Sequence, residues 1–196
     1  ITSLSEKTPW YQGQALMEYP ENVQVDDDEE EVGVFRMPIQ WVNRPNLDFR
    51  GYSGIVARGN VKPGDAVRVL PSGRESQIAR IVTADGDLEQ AVSGQSITLT
   101  LTDEIDISRG DILASTDSPP SVADQFETTI VWMADEPMLP GRPYLMKIGT
   151  RTVTATVSVL KYKVNVNTLE HVAVTKLELN EIGVCNVSTD RLIAFD

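Results

Sequence analysis

A chain of 196 residues with 41% hydrophobic and 23% charged side chains has the balance of a folded globular protein, with length for one large or two small domains. No apolar run approaches the ~20 residues that a membrane-spanning helix needs. The opening Ile1–Lys7 has neither the basic start nor the apolar stretch of a secretion signal. The net charge of −12 is unevenly placed: residues 1–31 hold nine carboxylates and one lysine, whereas the other 165 residues hold 20 acidic and 16 basic groups. The body is therefore close to neutral, without the basic field that draws proteins onto phosphate backbones, so neither nucleic acid nor a membrane is an expected partner. The first residue is not Met, so processing or truncation is expected. Cys185 is the only cysteine; it leaves no intramolecular disulfide and no CxxC, fits a reducing cytoplasm, and reads as a small core residue on a strand.

In chain order, Thr8-Pro9 supplies a helix start, with Trp10, Ala15, Leu16, Met17 and Tyr19 on one apolar side and Pro20 as terminator. Asp26–Glu31 follows as six consecutive carboxylates, a solvated linker; a calcium or magnesium loop would need a glycine turn to aim its ligands inward, and the run has none. From Val32 the period changes to two. Phe35, Met37, Ile39 and Trp41 alternate with Val34, Arg36, Pro38 and Gln40 as a half-buried strand. Strand-like segments recur at 54–57, 66–70, 76–83, 95–101 and 111–114, punctuated by Lys62-Pro63-Gly64-Asp65, Pro71-Ser72-Gly73-Arg74, Ala84-Asp85-Gly86-Asp87 and Ser108-Arg109-Gly110-Asp111. Short strands with tight turns and no helical period predict a barrel over 32–115. Ser118-Pro119-Pro120-Ser121 marks a boundary. A second all-β segment over 116–196 has strands expected at 126–133, 144–148, 151–162, 175–179 and 183–187. Ile193-Ala194-Phe195-Asp196 reads as strand material without a stop signal, so the second barrel is expected to be C-terminally incomplete, with an exposed edge.

Catalytic constellations are not found. His171 is the only histidine, so neither paired-His metal spacing nor a Ser-His-Asp arrangement with GxSxG can be built, and His171 is read as structural. GxxxxGK[ST] and GxGxxG are missing, and Gly51-Tyr52-Ser53-Gly54 lies between strands, where no helix N-terminus awaits a phosphate. Arg109-Gly110-Asp111 matches an adhesion tripeptide and Asn186-Val187-Ser188 a glycosylation sequon. The first is read as a strand-opening turn, and the second has no secretory context. One loop has contact chemistry: residues 43–52 gather Arg44, Asn46, Asp48, Phe49, Arg50 and Tyr52, and arginine and aromatic side chains are favoured at interface centres. Arg142 and Tyr144 form a weaker patch of the same kind. These eight residues are the expected partner-binding set; the sequence assigns no catalytic, cofactor or metal residues.

Gly54-Ile55-Val56-Ala57-Arg58-Gly59-Asn60-Val61-Lys62-Pro63-Gly64-Asp65 resembles the signature of the second domain of translation-type GTPases. More narrowly, Thr8-Pro9-Trp10-Tyr11-Gln12-Gly13, Trp41–Tyr52, Glu127–Met133, Leu139–Leu145, Tyr162–His171 and Leu177–Gly183 resemble the large, GTP-hydrolysing subunit of bacterial sulfate adenylyltransferase (ATP sulfurylase), in some bacteria fused to adenylylsulfate kinase. The resemblance covers almost the whole chain. It implies an all-β architecture of two consecutive six-stranded-type barrels of the elongation-factor-Tu domain 2 and domain 3 kind. Residues 1–31 would be the C-terminal remnant of a GTP-binding domain plus acidic linker. It further implies a cytoplasmic complex that makes adenosine 5′-phosphosulfate from ATP and sulfate. There the large subunit partners a small adenylyl-transferring subunit and its own GTP-binding domain. GTP and magnesium belong to that missing domain, no cofactor to this chain, whose implied role is coupling and scaffolding. The runner-up is a barrel module of a translation factor that grips tRNA.

Overall fold

The computed structural model describes residues 7–22 and 34–196, in two compact units, Ile1–Glu31 and Val32–Asp196. In the first, the helix expected to start at Pro9 does not form. A turn closes from Thr8 O to Tyr11 N instead. Gly13, a poor helix residue, lies so close to the Tyr11 ring that an added Cβ would sit 2.5 Å from its hydroxyl. The helix that does form, α1 (Glu18–Asn22), contains Pro20 rather than ending before it. Within the first turn a backbone N–H has no intrahelical acceptor, so proline costs nothing there. The acidic run at 26–31 lies outside the described residues.

The second unit is built from strands. The first group comprises β1 (Arg36–Asn43), β2 (Gly51–Ile55), β3 (Asn60–Val61), β4 (Ala66–Leu70), β5 (Arg74–Thr83), β6 (Gly86–Leu88), β7 (Ala91–Val92), β8 (Ser96–Leu101) and β9 (Ile112–Ser115). Their pairing runs β4-β9-β1-β2-β8-β5-β6, and β5 pairs with β4 as well as β8. Six antiparallel strands therefore close a ring, with β6 appended outside it and the β3–β7 pair beside it. Met37, Ile39, Val67, Val69, Ile78, Ile81, Leu99 and Leu113 fill the interior; a fully buried side chain of this size stabilises by about 1.5–3 kcal/mol relative to exposure. Gly59 is required where it stands: its φ is +68°, and a Cβ would sit 2.4 Å from the Val34 carbonyl oxygen.

The alternation read on β1 holds for Phe35, Met37 and Ile39, which are buried, and fails at Trp41, which is 60% exposed. The physical reason is a β-bulge: Ile39 pairs with Gly54 but Trp41 with Ser53, so Gln40 is an extra residue and the phase flips. Arg36, expected on the solvent face, is buried.

The second group comprises β10 (Ser121–Val131), β11 (Pro143–Ile148), β12 (Arg151–Val164), β13 (His171–Val172) and β14 (Ile182–Phe195), paired in the order β10-β14-β12-β11 with β13 on β12. This path is open among the described residues. Met138, Ala155, Val157, Leu177, Cys185 and Val187 form its core, and burial pushes the Cys185 thiol above its ordinary pKa. The strand expected at 175–179 is not one. Leu177 makes an isolated bridge to Met138, with N–H···O bonds of 2.9 and 3.2 Å. Both side chains are fully buried, so an apolar plug rather than a ladder explains this apolar segment. His171 stacks on Tyr162 with ring centroids 3.9 Å apart, across from Val164. Phe126, Ile130, Trp132, Tyr144, Met146 and Ile148 line an apolar groove of about 450 Å³ between β10 and β11.

The two sheets meet within this unit. Leu70 and Ala114 of the first pack with Ala194 of the second, and two ion pairs cross the junction, Arg36 to Asp196 at 2.8 Å and Arg151 to Asp111 at 3.4 Å.

Candidate partner-binding loop

The loop that joins β1 to β2 is set by a few local constraints. Asn46 Oδ1 accepts the Asp48 N–H at 3.0 Å, the side-chain-to-backbone turn that Asn favours. That turn pushes Leu47 outward to 85% exposure. At the return into β2, Gly51 leaves room for two neighbours: a Cβ there would lie 2.5 Å from Thr98 Cγ2 and 2.7 Å from the Phe49 ring. Behind it, Ser53 and Thr98 share a hydrogen bond of 2.8 Å across β2 and β8.

Arg44, Asn46 and Asp48 are exposed, and Phe49 and Arg50 half-buried. Arg50 lies 5.8 Å from the centroid of the Tyr52 ring and 3.5 Å from the Asp106 carboxylate. Tyr52, expected as a contact residue, is inside the core at 1% exposure, because β2 directs it to the barrel interior. Its hydroxyl donates to the Ile105 carbonyl at 3.0 Å. Burial raises its pKa, partly offset by Arg50, so the phenol stays a neutral donor; its place is beneath the loop. Below the loop, Leu47, Asp48, Arg50, Arg80 and Asp103 border a groove of about 260 Å³. Phe49 divides it from a second cleft of about 340 Å³ that also borders Asn43. Arg80, brought beside Thr100 by the pairing of β5 with β8, and Asp106, in the segment between β8 and β9, carry no local sequence signal of their place beside the loop.

Arg142 and Tyr144 lie on the other sheet. Arg142 pairs with Glu136 at 3.4 Å and sits 6.0 Å from the Tyr144 ring centroid. The Tyr144 hydroxyl accepts the Leu139 N–H at 2.8 Å, and its ring meets Trp132 edge-on at 5.3 Å. Among the described residues no hydrogen bond, ion pair or ring contact joins this patch to the loop. Nor is there, among them, a group of three or more His, Cys, Asp or Glu able to hold a metal ion, or a helix long and apolar enough to cross a membrane.

Comparison with known proteins places this geometry. Residues 125–196 match the family described as GTP-eEF1A C-terminal domain-like. A crystal structure of sup35 complexed with GDP superposes with a TM-score of 0.77, at 21% identity, covering 96% of this chain and 46% of that one. Translation elongation factor SelB from Methanococcus maripaludis, apo form, gives 0.70 at 19% identity over 92% of this chain and 39% of that one. The all-β fold is thus shared with part of each of these chains over nearly all of this one. In sequence, the chain is 51% identical over its full length to the bifunctional enzyme NodQ of Rhizobium sp. (strain N33), of which it spans 30%. It is 46% identical to sulfate adenylyltransferase subunit 1 of Alteromonas mediterranea, spanning 41% of it. To the bifunctional enzyme CysN/CysC of Xylella fastidiosa it is 48% identical over 191 residues, spanning 30%. Over its whole length the chain is thus homologous to a segment of sulfate adenylyltransferase subunit 1 and NodQ, and it spans well under half the length of these relatives.

Proposed function

We propose that this chain is the non-catalytic coupling and scaffold part of a sulfate adenylyltransferase GTP-binding subunit, in a cytoplasmic complex that forms adenosine 5′-phosphosulfate from ATP and sulfate. The observation that carries this reading is identity near one half over the whole chain with sulfate adenylyltransferase subunit 1 and NodQ. Residues 32–115, as a closed barrel, and 116–196, as a C-terminally incomplete barrel, act as two successive domains, and residues 1–31 connect them to a GTP-binding domain. GTP and magnesium act in that domain, and nothing in this chain takes part in bond making. Its contact element is the 44–50 loop, with Arg44, Asn46, Asp48, Phe49 and Arg50 facing the small adenylyl-transferring subunit and Tyr52 supporting them from beneath. Arg142 and Tyr144 form a second, independent contact.

Support for the loop assignment comes from its composition and its mounting. Arginine and aromatic groups are favoured where interfaces bury their centre, and here they sit on a closed barrel, a rigid base for a contact loop. Size-exclusion chromatography of the chain with the small subunit, with and without the double substitution Arg44→Ala/Arg50→Ala, tests the reading. Co-elution by the native chain and its loss in the variant are expected. Unchanged co-elution by the variant removes the loop from the interface. Binding of RNA with a steep salt dependence would favour a translation-factor module instead.

A further inference from the structure

We propose that the Ser108–Asp111 turn is a tie through which the second sheet holds the contact loop in place, with Arg109 as a positioning residue. The inference rests on the reading that the 44–50 loop is the contact element. The turn grips β1 at its bulge. Ile39 N–H donates to the Asp111 carbonyl at 2.8 Å, and Gly110 N–H donates to the Ile39 carbonyl at 3.0 Å. Gln40 follows as the residue left over in the β1–β2 register. A bulged residue has no cross-strand partner of its own, and the Gln40 carbonyl is taken up by Arg109 Nη1 at 2.9 Å. Three residues further on β1 ends at Asn43 and the loop begins.

The same turn is anchored on its far side. Asp111 Oδ2 accepts the Ser108 N–H at 2.8 Å, which closes the turn. Its other oxygen, Oδ1, pairs with Arg151 Nη1 of the second sheet at 3.4 Å, with both side chains about four-fifths buried. Gly110, at φ +96°, brings the backbone against Arg151, where an added Cβ would lie 3.1 Å from that residue's Cβ and Cγ. One carboxylate thus fixes the turn and receives the second sheet's guanidinium, while the neighbouring arginine holds the strand that leads into the loop. The path from Arg151 through Asp111 and Arg109 to Gln40 is continuous through polar contacts and one turn.

Hydrogen–deuterium exchange of the chain by itself tests this without any partner, in Arg109→Met, Arg151→Met, the double variant and Arg109→Lys. Arg109→Met is expected to speed exchange of amides 40–50 by about two- to tenfold, the range that one hydrogen bond supports. Arg151→Met, remote from the loop, speeds the same amides. The double variant exceeds the larger single effect by little, because both act along one path, and Arg109→Lys restores protection. Exchange along β5 stays unchanged, which separates a local tie from a loss of overall stability. Loop exchange unaffected by Arg151→Met, or single effects that simply multiply, overturns the proposal. If Arg109→Met fails to fold by circular dichroism, Arg151→Met decides alone. Failed co-elution with the small subunit would sink the contact reading and leave the exchange result standing.

Discussion

Arg36, the first residue of β1, forks its guanidinium onto the carboxylate of Asp196 at the end of β14, with hydrogen bonds of 2.9 and 3.2 Å from Nε and 2.8 Å from Nη2. The remaining nitrogen, Nη1, donates to the Phe35 carbonyl at 3.0 Å. The arginine is buried, whereas about half of the aspartate side chain meets water. The pair joins the two sheets at a point where their apolar contact, through Leu70, Ala114 and Ala194, is small.

Removing the guanidinium should therefore weaken the junction. Arg36→Met keeps most of the buried stem and loses the fork. The expected destabilisation is about 1.5 kcal/mol, the low end for hydrogen bonds to a charged group, because Asp196 recovers hydration. Urea unfolding followed by far-UV circular dichroism measures it, and an unchanged midpoint would show that the fork contributes nothing net.

The same pair gives a pH dependence. The hydrogen bonds from Arg36 hold the Asp196 carboxyl below the usual carboxylate range, against the opposing effect of its burial. The unfolded chain takes up this proton first as pH falls. The pair's contribution is therefore complete above about pH 4, the ordinary aspartate range, and is lost as pH falls through the depressed folded value. Glu181, held down by its hydrogen bond from Lys163, acts in the same direction. Thermal melts between pH 7 and pH 3 should show falling stability with acid, less steeply in Arg36→Met than in the native chain. Parallel profiles would contradict the assignment to this pair.

Gly51→Ala forces a methyl group into the Thr98 Cγ2 and the Phe49 ring. Overpacking of this kind costs about 1–3 kcal/mol. Thr98→Ser removes the obstructing methyl and keeps the hydroxyl that meets Ser53, so the double substitution should recover part of the loss. Denaturant midpoints of the four forms in a double-mutant cycle give the coupling.

The apolar groove between β10 and β11 should bind a hydrophobic dye such as ANS in the native chain, with near-UV circular dichroism intact, which separates it from dye uptake by a loosened core. Thr128 lines the groove. Thr128→Glu would place a carboxylate there and weaken the dye by about tenfold or more, since the carboxylate repels the dye's sulfonate and leaves the groove charged. Equal binding by both forms would put the dye elsewhere.

Much of this architecture is legible in the sequence because short-range chemistry carries it. Segment 66–70 matches β4 residue for residue, and the turn glycines Gly64, Gly73, Gly86 and Gly110 all adopt positive φ. What local pattern conceals is any feature set by distant partners. The alternation through Trp41 breaks because a bulge depends on the register with β2, and Arg36 looked like a solvent-facing residue because its carboxylate partner lies 160 positions away. Thr175–Leu179 has strand composition but serves as a plug through Leu177. The helix expected from Thr8-Pro9 gives way to a turn where Gly13 meets Tyr11. At the candidate loop, the composition was readable while the burial of Tyr52 was not, since inward or outward direction follows from strand phase.

The closed ring of the first sheet also bears on how this chain folds. β4 and β5 are neighbours joined by a tight turn, and β1 and β2 are separated only by the loop, so both pairs can form early from local encounters. The ring is complete only when β9 slots between β1 and β4, joining Arg36 to Ala114 and Val69 to Leu113. That step spends the loop-closure entropy of most of the domain before its contacts reward it. Folding of this region should be slow for its size, and its rate-limiting barrier should be sensitive to substitutions in β9 and nearly indifferent to those in the 44–50 loop.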